Sequence, residues 1–218
     1  AVDEAARIAA NARAALQTPI AKAWASDLGV DLTSLGIQIY GRMGFIEEAG
    51  VAQHWRDSRI APIYEGTNGI QAMDLVMRKI SLAGGEVVDA YVAEMEATAD
   101  ALAARGGGLA PMGENLQTAI THLRTSTDWL LRAEPPDALA GATPYLRQFG
   151  VVAGGYYLAK MALVADELLA DEDDPWLRAK VETARFYVDQ ILPQAAGSAP
   201  AVAAGVSQLF AIERDLLE

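Results

Sequence analysis

The sequence predicts an all-α protein, and three observations support this fold class. Nearly every periodic segment of the 218-residue chain repeats its apolar residues at helical spacing, and no alternating strand pattern of useful length occurs. Clusters of glycine or proline separate these segments at residues 84–85, 106–108 and 135–136. The composition, 52% hydrophobic and 21% charged, is that of a packed globular chain.

In the first part of the chain, the periodic segments are short and interrupted. The first helix is expected over residues 3–28, with Pro19 kinking it or splitting it in two and Gly29 as its C-terminal stop. Asp31 or Thr33 then caps a short second helix that ends near residue 39. Two further helical segments are expected over 49–59 and 67–82. The second has an apolar face formed by Ile70, Met73, Val76, Met77 and Ile80, and Gly84-Gly85 stops it.

The second part of the chain predicts five more helices. Their apolar faces lie within residues 88–102, 116–131, 144–170, 177–191 and 200–217. The best domain boundary is Gly84-Gly85, because the residues that suggest chemistry end there. The sequence therefore predicts one unit over residues 1–85 and an additional helical domain over residues 86–218.

Charge and composition exclude several classes of protein. The formal charge of −12 argues against a nucleic-acid partner, which requires a concentrated cationic surface. The absence of cysteine excludes disulfides and thiolate chemistry, and no apolar run approaches the roughly 20 residues that span a bilayer. We therefore expect a cytoplasmic protein with no membrane contact.

The first residues lack a methionine and a signal-peptide pattern and start directly in a helical pattern, so we interpret the chain as part of a longer protein.

One carboxylate stands in an unusual position, in the segment from Ile63 to Gln71. Glu65 comes directly before Gly66 and Thr67, and an apolar helix follows at once. Thr67 can cap that helix, which leaves Glu65 in a bend just outside it, and Gly66 lets a ligand or another backbone approach. The positive helix end would favour the carboxylate, whereas burial beside an apolar substrate would favour the acid, and the balance could set a base for proton abstraction. The alternative is an ordinary surface glutamate before a capped helix.

Other polar groups have a structural interpretation beside a functional one. The turn from Gln38 to Phe45 contains two glycines and could hold an anion on its backbone N–H groups, or could simply join two helices. The Arg56-Asp57-Ser58-Arg59 segment could orient the Glu65 bend, or could be an ion pair that positions loops. His54 and His122 lack partners at metal-ligand spacing, so no metal site is predicted. The acidic run at residues 171–174 indicates a solvated loop.

Taken together, these segments resemble the C-terminal part of the acyl-CoA dehydrogenase family. The resemblance rests on Gln38-x-x-Gly41-x-x-Gly44-Phe45, Glu48, Arg56-Asp57 and Tyr64-Glu65-Gly66-Thr67-x-x-Ile70-Gln71, in the family's order and near its spacing. It covers about residues 1–82. The remainder is similar to the extra helical domain of a bacterial branch, which includes enzymes acting on 3-methylmercaptopropionyl-CoA and other acyl-CoA thioesters.

The resemblance implies a flavoenzyme that uses FAD to α,β-dehydrogenate acyl-CoA. Glu65 would abstract the α-proton while its backbone N–H helps to hold the thioester carbonyl, and Gly66 would line the substrate channel. Thr67 and Asn68 would contact FAD, and Gln38 with the Gly41 turn would contact the FAD of a neighbouring subunit. The family also implies a homodimer or homotetramer and an electron-transfer flavoprotein as electron acceptor.

Two departures from the family pattern and two alternatives accompany this resemblance. The family usually has Gly-Gly where Gly41-Arg42 stands, so the Arg42 side chain could reach a phosphate of FAD or crowd its pyrophosphate. It often has Lys or Arg where Gln53 stands.

The first alternative is a helical dimerisation or interaction module with a vestigial site, and the second is an oxidase. Because the family's other two domains are missing from this chain, the chain alone is expected to be inactive and to hold FAD weakly.

Overall fold

Ten α-helices form the part of the chain that the structure describes, residues 3–171 and 173–216 of a computed structural model. They are α1 (Glu4–Ile39), α2 (Arg42–Phe45), α3 (Val51–Ser58), α4 (Asn68–Asp74), α5 (Glu86–Arg105), α6 (Ala110–Leu130), α7 (Pro135–Ala140), α8 (Ala142–Leu168), α9 (Pro175–Phe186) and α10 (Gln194–Val202). Short 3₁₀ turns cover Glu47–Ala49, Leu82–Gly85, Gly107–Leu109 and Arg214–Leu216, and π turns cover Leu75–Lys79 and Tyr187–Ile191. No strand occurs within these residues, and the all-α prediction is confirmed.

The first helix is longer than the sequence predicts. α1 runs without interruption through Pro19 and Gly29, so the predicted stop at Gly29 and the predicted cap at Asp31 or Thr33 are wrong. Gly29 does not adopt the left-handed conformation of a helix stop. The Thr33 hydroxyl instead donates back to the Gly29 carbonyl at 2.7 Å, as a hydroxyl within a continuous helix does. The helix ends where Gly41 takes a φ of 57°.

The end of the chain is less helical than the sequence predicts. α10 already contains Pro200, and turns and bends follow it instead of a helix through residue 216; Leu217 lies outside the described residues. Gly205 has a φ of 72°, which a continuing right-handed helix excludes. The following N–H, that of Val206, donates to the Asp137 carboxylate at 2.8 Å, so this backbone is held by α7.

A π turn changes the buried face of the segment after the candidate catalytic bend. Ile80 N donates to Leu75 O at 3.0 Å, five residues back, and this inserts an extra residue into the helical turn. Of the predicted apolar face, Val76 and Ile80 are buried, whereas Ile70, Met73 and Met77 are exposed. Exposed apolar residues therefore lie near the Glu65 bend.

Residues from both predicted domains contribute to one hydrophobic core. Leu16 and Ile20 of α1 and Leu75 of the π turn belong to the same buried cluster as Phe149 of α8. The boundary between residues 85 and 86 stays a prediction; three successive residues, 83–85, have positive φ there and end the preceding helical segment.

α1 and α8 approach closely at two glycines of α8. A Cβ atom at Gly150 would lie 2.4 Å from Cγ of Trp24, and one at Gly154 would lie 2.9 Å from Cη2 of the same indole. Only a residue without a side chain leaves room for the indole at these positions. Trp24 thus packs directly on the backbone of α8, and this contact fixes the part of α1 that faces the Glu65 bend.

An ion pair fixes the start of α1 on α5. Both terminal nitrogens of Arg13 donate to the Glu94 carboxylate, at 3.2 and 2.9 Å. The guanidinium carbon also lies 3.3 Å from the centre of the Tyr91 ring, a cation–π contact. Burial raises the pKa of Tyr91, so its hydroxyl remains protonated at physiological pH.

No helix within the described residues is long and apolar enough to cross a membrane.

Candidate functional site

Glu65 lies in a bend between α3 and α4, where two successive residues have left-handed backbone conformations. Its φ is 54° and that of Gly66 is 76°. The Thr67 hydroxyl accepts a hydrogen bond from Ile70 N at 3.3 Å and caps α4. The structure therefore has the predicted cap and places Glu65 outside the helix start, as the sequence suggested.

The Glu65 side chain is exposed and forms no ion pair or side-chain hydrogen bond within the described chain. Apolar side chains within five positions of it are exposed as well: Ile63, Tyr64 and Ile70 are each 53% accessible. A carboxylate beside uncovered apolar groups suits an apolar ligand that carries an acidic C–H group.

The backbone of the bend is held by its carbonyl groups and leaves its N–H groups available. The Glu65 carbonyl accepts from Gln71 Nε2 at 2.9 Å, and the Gly66 carbonyl accepts from Lys22 Nζ at 2.7 Å. The three successive N–H groups of residues 65–67 donate to no acceptor in the part of the chain that the structure describes. Successive free N–H groups in a left-handed turn can bind a ligand oxygen.

Gly66 has little room for a side chain. A Cβ atom there would lie 3.1 Å from Gln71 Nε2, in addition to the strain of its positive φ. The glycine therefore allows both the turn and the Gln71 hydrogen bond.

Asn68 is turned toward α1. Its amide nitrogen donates to Asp27 Oδ1 at 2.7 Å, to Ser26 Oγ at 2.9 Å and to the Ala23 carbonyl at 3.1 Å. Its amide oxygen accepts from Lys22 Nζ at 2.8 Å, and its backbone N–H donates to the Pro62 carbonyl at 3.0 Å. The side chain therefore ties α4 to α1, and its expected contact with FAD stays a prediction.

The other predicted cofactor residues lie at the far end of α1. Gln38 and Arg42 are exposed on either side of Gly41, and no atom lies within 4 Å of a Cβ built at Gly41. Asp27, which contacts Asn68, lies 11 positions before Gln38, and that separation corresponds to about 16 Å along a helix. The structure thus separates this group from the Glu65 bend.

The remaining polar segments have structural partners. Arg56 forms a bidentate pair with Glu47 and one of its two contacts measures 2.9 Å, which fits the interpretation of an ion pair that positions loops. Asp174 caps α9 by accepting from Trp176 N at 2.8 Å, whereas Glu172 lies outside the described residues. Among the described residues, no group of three or more His, Asp or Glu side chains could hold a metal ion.

The α1 side chains that contact the bend and Asn68 are Lys22, Ser26 and Asp27, and the sequence did not predict them. No short motif marks them. A usable pattern was their spacing, because they lie within two helical turns and flank Ala23, a fully buried position of α1. Polar side chains beside the buried face of a helix can form hydrogen bonds with the segment that packs against that face.

A cleft of ≈ 530 Å³ opens between α1, α4 and α8. Asn68 and Gly69 form one wall, and Trp24, Arg59 and Arg147 form others. Asn68 is the one predicted site residue that lines it, and Glu65 does not.

Two family models match the chain. Residues 1–80 match "Acyl-CoA dehydrogenase, C-terminal domain" and residues 91–213 match "Acetyl-CoA dehydrogenase C-terminal like". The second match alone covers more than half of the chain.

Individual relatives agree with these matches. The chain is 39% identical over 193 residues to 3-methylmercaptopropionyl-CoA dehydrogenase of Ruegeria pomeroyi, over 87% of this chain and 33% of that one. It is 33% identical over 198 residues to a butyryl-CoA dehydrogenase of Syntrophomonas wolfei, over 86% and 32%. A short-chain specific acyl-CoA dehydrogenase of Megasphaera elsdenii is 50% identical over 54 residues, 25% of this chain and 14% of that one. The chain spans about a third of the length of the relatives that it matches over most of its residues. It belongs to the acyl-CoA dehydrogenase family, as an all-helical C-terminal part.

Proposed function

We propose that a longer protein containing this chain α,β-dehydrogenates acyl-CoA thioesters, with Glu65 as the base. The observation that carries the proposal is the Glu65 bend, where an exposed carboxylate lies on the same turn as three backbone N–H groups that have no acceptor among the described residues. Dehydrogenation of a thioester requires both features, a base for the α-proton and donors for the carbonyl oxygen.

The residues of this chain act on the substrate as follows. The N–H of Glu65 donates to the thioester carbonyl, which stabilises the negative charge that develops on its oxygen and acidifies the α-proton. The Glu65 carboxylate takes that proton and becomes a carboxylic acid. The electron pair of the broken Cα–H bond forms the Cα=Cβ bond as a hydride leaves the β-carbon, and the product is a trans-2-enoyl-CoA.

The residues expected at the cofactor fit FAD in chemical type. Arg42 supplies an exposed cation for a phosphate, Gln38 supplies an exposed amide, and Gly41 leaves its surroundings open. Thr67 and Asn68, at the start of α4, would contact the flavin part of FAD, whereas Gln38 and Arg42 would lie farther from it. When bound, FAD supplies the acceptor for the hydride from the β-carbon.

The substrate, the electron acceptor and the oligomeric state of the enzyme are proposed from the family. We propose an acyl-CoA substrate, an electron-transfer flavoprotein as acceptor, a homodimer or homotetramer and a cytoplasmic location. Two relatives are named for 3-methylmercaptopropionyl-CoA and butyryl-CoA, which suggests a short acyl group.

Flavin content and reactivity test this proposal. We expect the longer protein to purify with about one FAD per chain and to lose its flavin absorbance when butyryl-CoA is added without oxygen. The isolated 218-residue chain, as the control, is expected to retain no stoichiometric FAD. A longer protein that binds FAD but is not bleached by any of a series of acyl-CoA thioesters would refute the proposed reaction.

A further inference from the structure

We infer that Lys22 is a positioning residue for the Glu65 bend, which it holds through the Gly66 carbonyl. The inference rests on the proposed function of Glu65. Lys22 lies on α1, 43 positions before Glu65 in the sequence, and the family pattern of the bend does not include it.

The contact joins the bend to a different helix. Lys22 Nζ donates to Gly66 O at 2.7 Å and to Asn68 Oδ1 at 2.8 Å. Within the described chain, the first of these is the one hydrogen bond between residues 63–67 and a helix other than α4. Because the neighbouring α1 residues Ile20 and Ala23 are buried, the base of the Lys22 side chain is fixed by the core.

The conformation of the bend requires such a restraint. A residue with a side chain is destabilised in the left-handed region, and Glu65 is such a residue. The peptide between Gly66 and Thr67 lies directly after the strained segment, and its rotation would leave the adjoining dihedral angles of Glu65 free to relax, which would move the Glu65 carboxylate and its N–H. The ammonium of Lys22 opposes that rotation, because it holds the carbonyl of this peptide in a charge-assisted hydrogen bond.

Asn68 fixes the direction of the Lys22 side chain. Its amide lies between the Lys22 ammonium and the Asp27 carboxylate, with its oxygen toward the cation and its nitrogen toward the anion. This order of charges permits one amide orientation, since a flipped amide would face each charge with the wrong group. Lys22, Asn68 and Asp27 thus form a chain of hydrogen bonds that ends at the Gly66 carbonyl.

The test uses the longer protein with its FAD and measures anaerobic bleaching at several butyryl-CoA concentrations. We expect Lys22→Met to lower the limiting bleaching rate per bound FAD by about 10²-fold, because displacing a catalytic group by about 1 Å has an effect of that size. The concentration that gives half the limiting rate should change less than about threefold. Lys22→Arg, which keeps the charge and the donors, should recover most of the rate.

Arg7→Met is the matched control, because it removes an exposed cation from the same helix, paired only with Glu4 within the described chain. It should leave the limiting rate unchanged. A Lys22→Met protein that bleaches at the wild-type limiting rate would overturn the inference and leave the role of Glu65 intact. If Lys22→Met does not retain FAD, the limiting bleaching rate per bound FAD is measured instead on Lys22→Gln, whose neutral side chain is one bond shorter. A Lys22→Gln protein that bleaches at the wild-type limiting rate would then overturn the inference. A wild-type protein that is not bleached would overturn the proposed function and the inference with it.

Discussion

Replacing Glu65 with glutamine in the longer protein is expected to slow anaerobic flavin bleaching by an acyl-CoA about 10²–10⁴-fold. The amide has nearly the shape of the carboxylate but cannot take the α-proton. The substitution leaves the backbone N–H groups of the bend and the residues proposed to contact FAD unchanged, so FAD content should not change. Stopped-flow absorbance at the flavin band measures the rate.

Glu86→Gln is the matched control for this experiment. Glu86 is an exposed glutamate that begins α5, outside the bend. The flavin of the Glu86→Gln protein should bleach at the wild-type rate. If Glu65→Gln also bleached at that rate, Glu65 would not be the base.

Replacing Phe149 with alanine is expected to destabilise the fold by about 3–5 kcal/mol. Phe149 is fully buried on α8, and its ring centre lies 5.8 Å from those of Tyr91 on α5 and Tyr145 on the same helix. Removing the ring leaves a cavity between α5 and α8 and ends both aromatic contacts. Urea unfolding of the 218-residue chain, followed by far-UV circular dichroism, measures the change in the free energy of unfolding.

The same substitution on the surface separates core packing from loss of a large side chain. Phe186 ends α9 and is 63% exposed, so Phe186→Ala should change the free energy of unfolding by less than about 0.5 kcal/mol. Equal effects of the two substitutions would contradict the placement of Phe149 in the shared core.

The helical class and the capped turn at Glu65 could be predicted because they depend on local patterns. Helical spacing of apolar residues identified α5 and α6. The expected face at Val88 to Leu102 is buried, and so are Leu116, Ile120, Leu123 and Leu130 of the second face, whereas its last member, Leu131, is exposed. Thr67 was recognisable as a cap because its hydroxyl bonds within its own turn.

The errors have tertiary or cooperative causes. Gly29 resembles a helix stop, but a glycine is tolerated inside a helix at a modest cost, and here α1 continues through it to Ile39. The π turn at residues 75–79 has no propensity pattern, so the exposure of Met77 within it could not be foreseen.

The partners of Lys22 could not be identified from the sequence, because they lie more than 40 positions away from it along the chain. Its bonds to Gly66 and Asn68 exist only after α1 and α4 have packed together. A motif describes residues that are neighbours along the chain, whereas this contact depends on the fold.

The most direct test of the central claim is a structure of the longer protein with FAD and an unreactive acyl-CoA analogue bound. We predict that a Glu65 carboxylate oxygen lies within about 3.5 Å of the acyl α-carbon. The Glu65 N–H should lie about 2.7–3.1 Å from the thioester oxygen. A complex in which another carboxylate faces the α-carbon, with Glu65 directed away from the ligand, would contradict the assignment of Glu65 as the base.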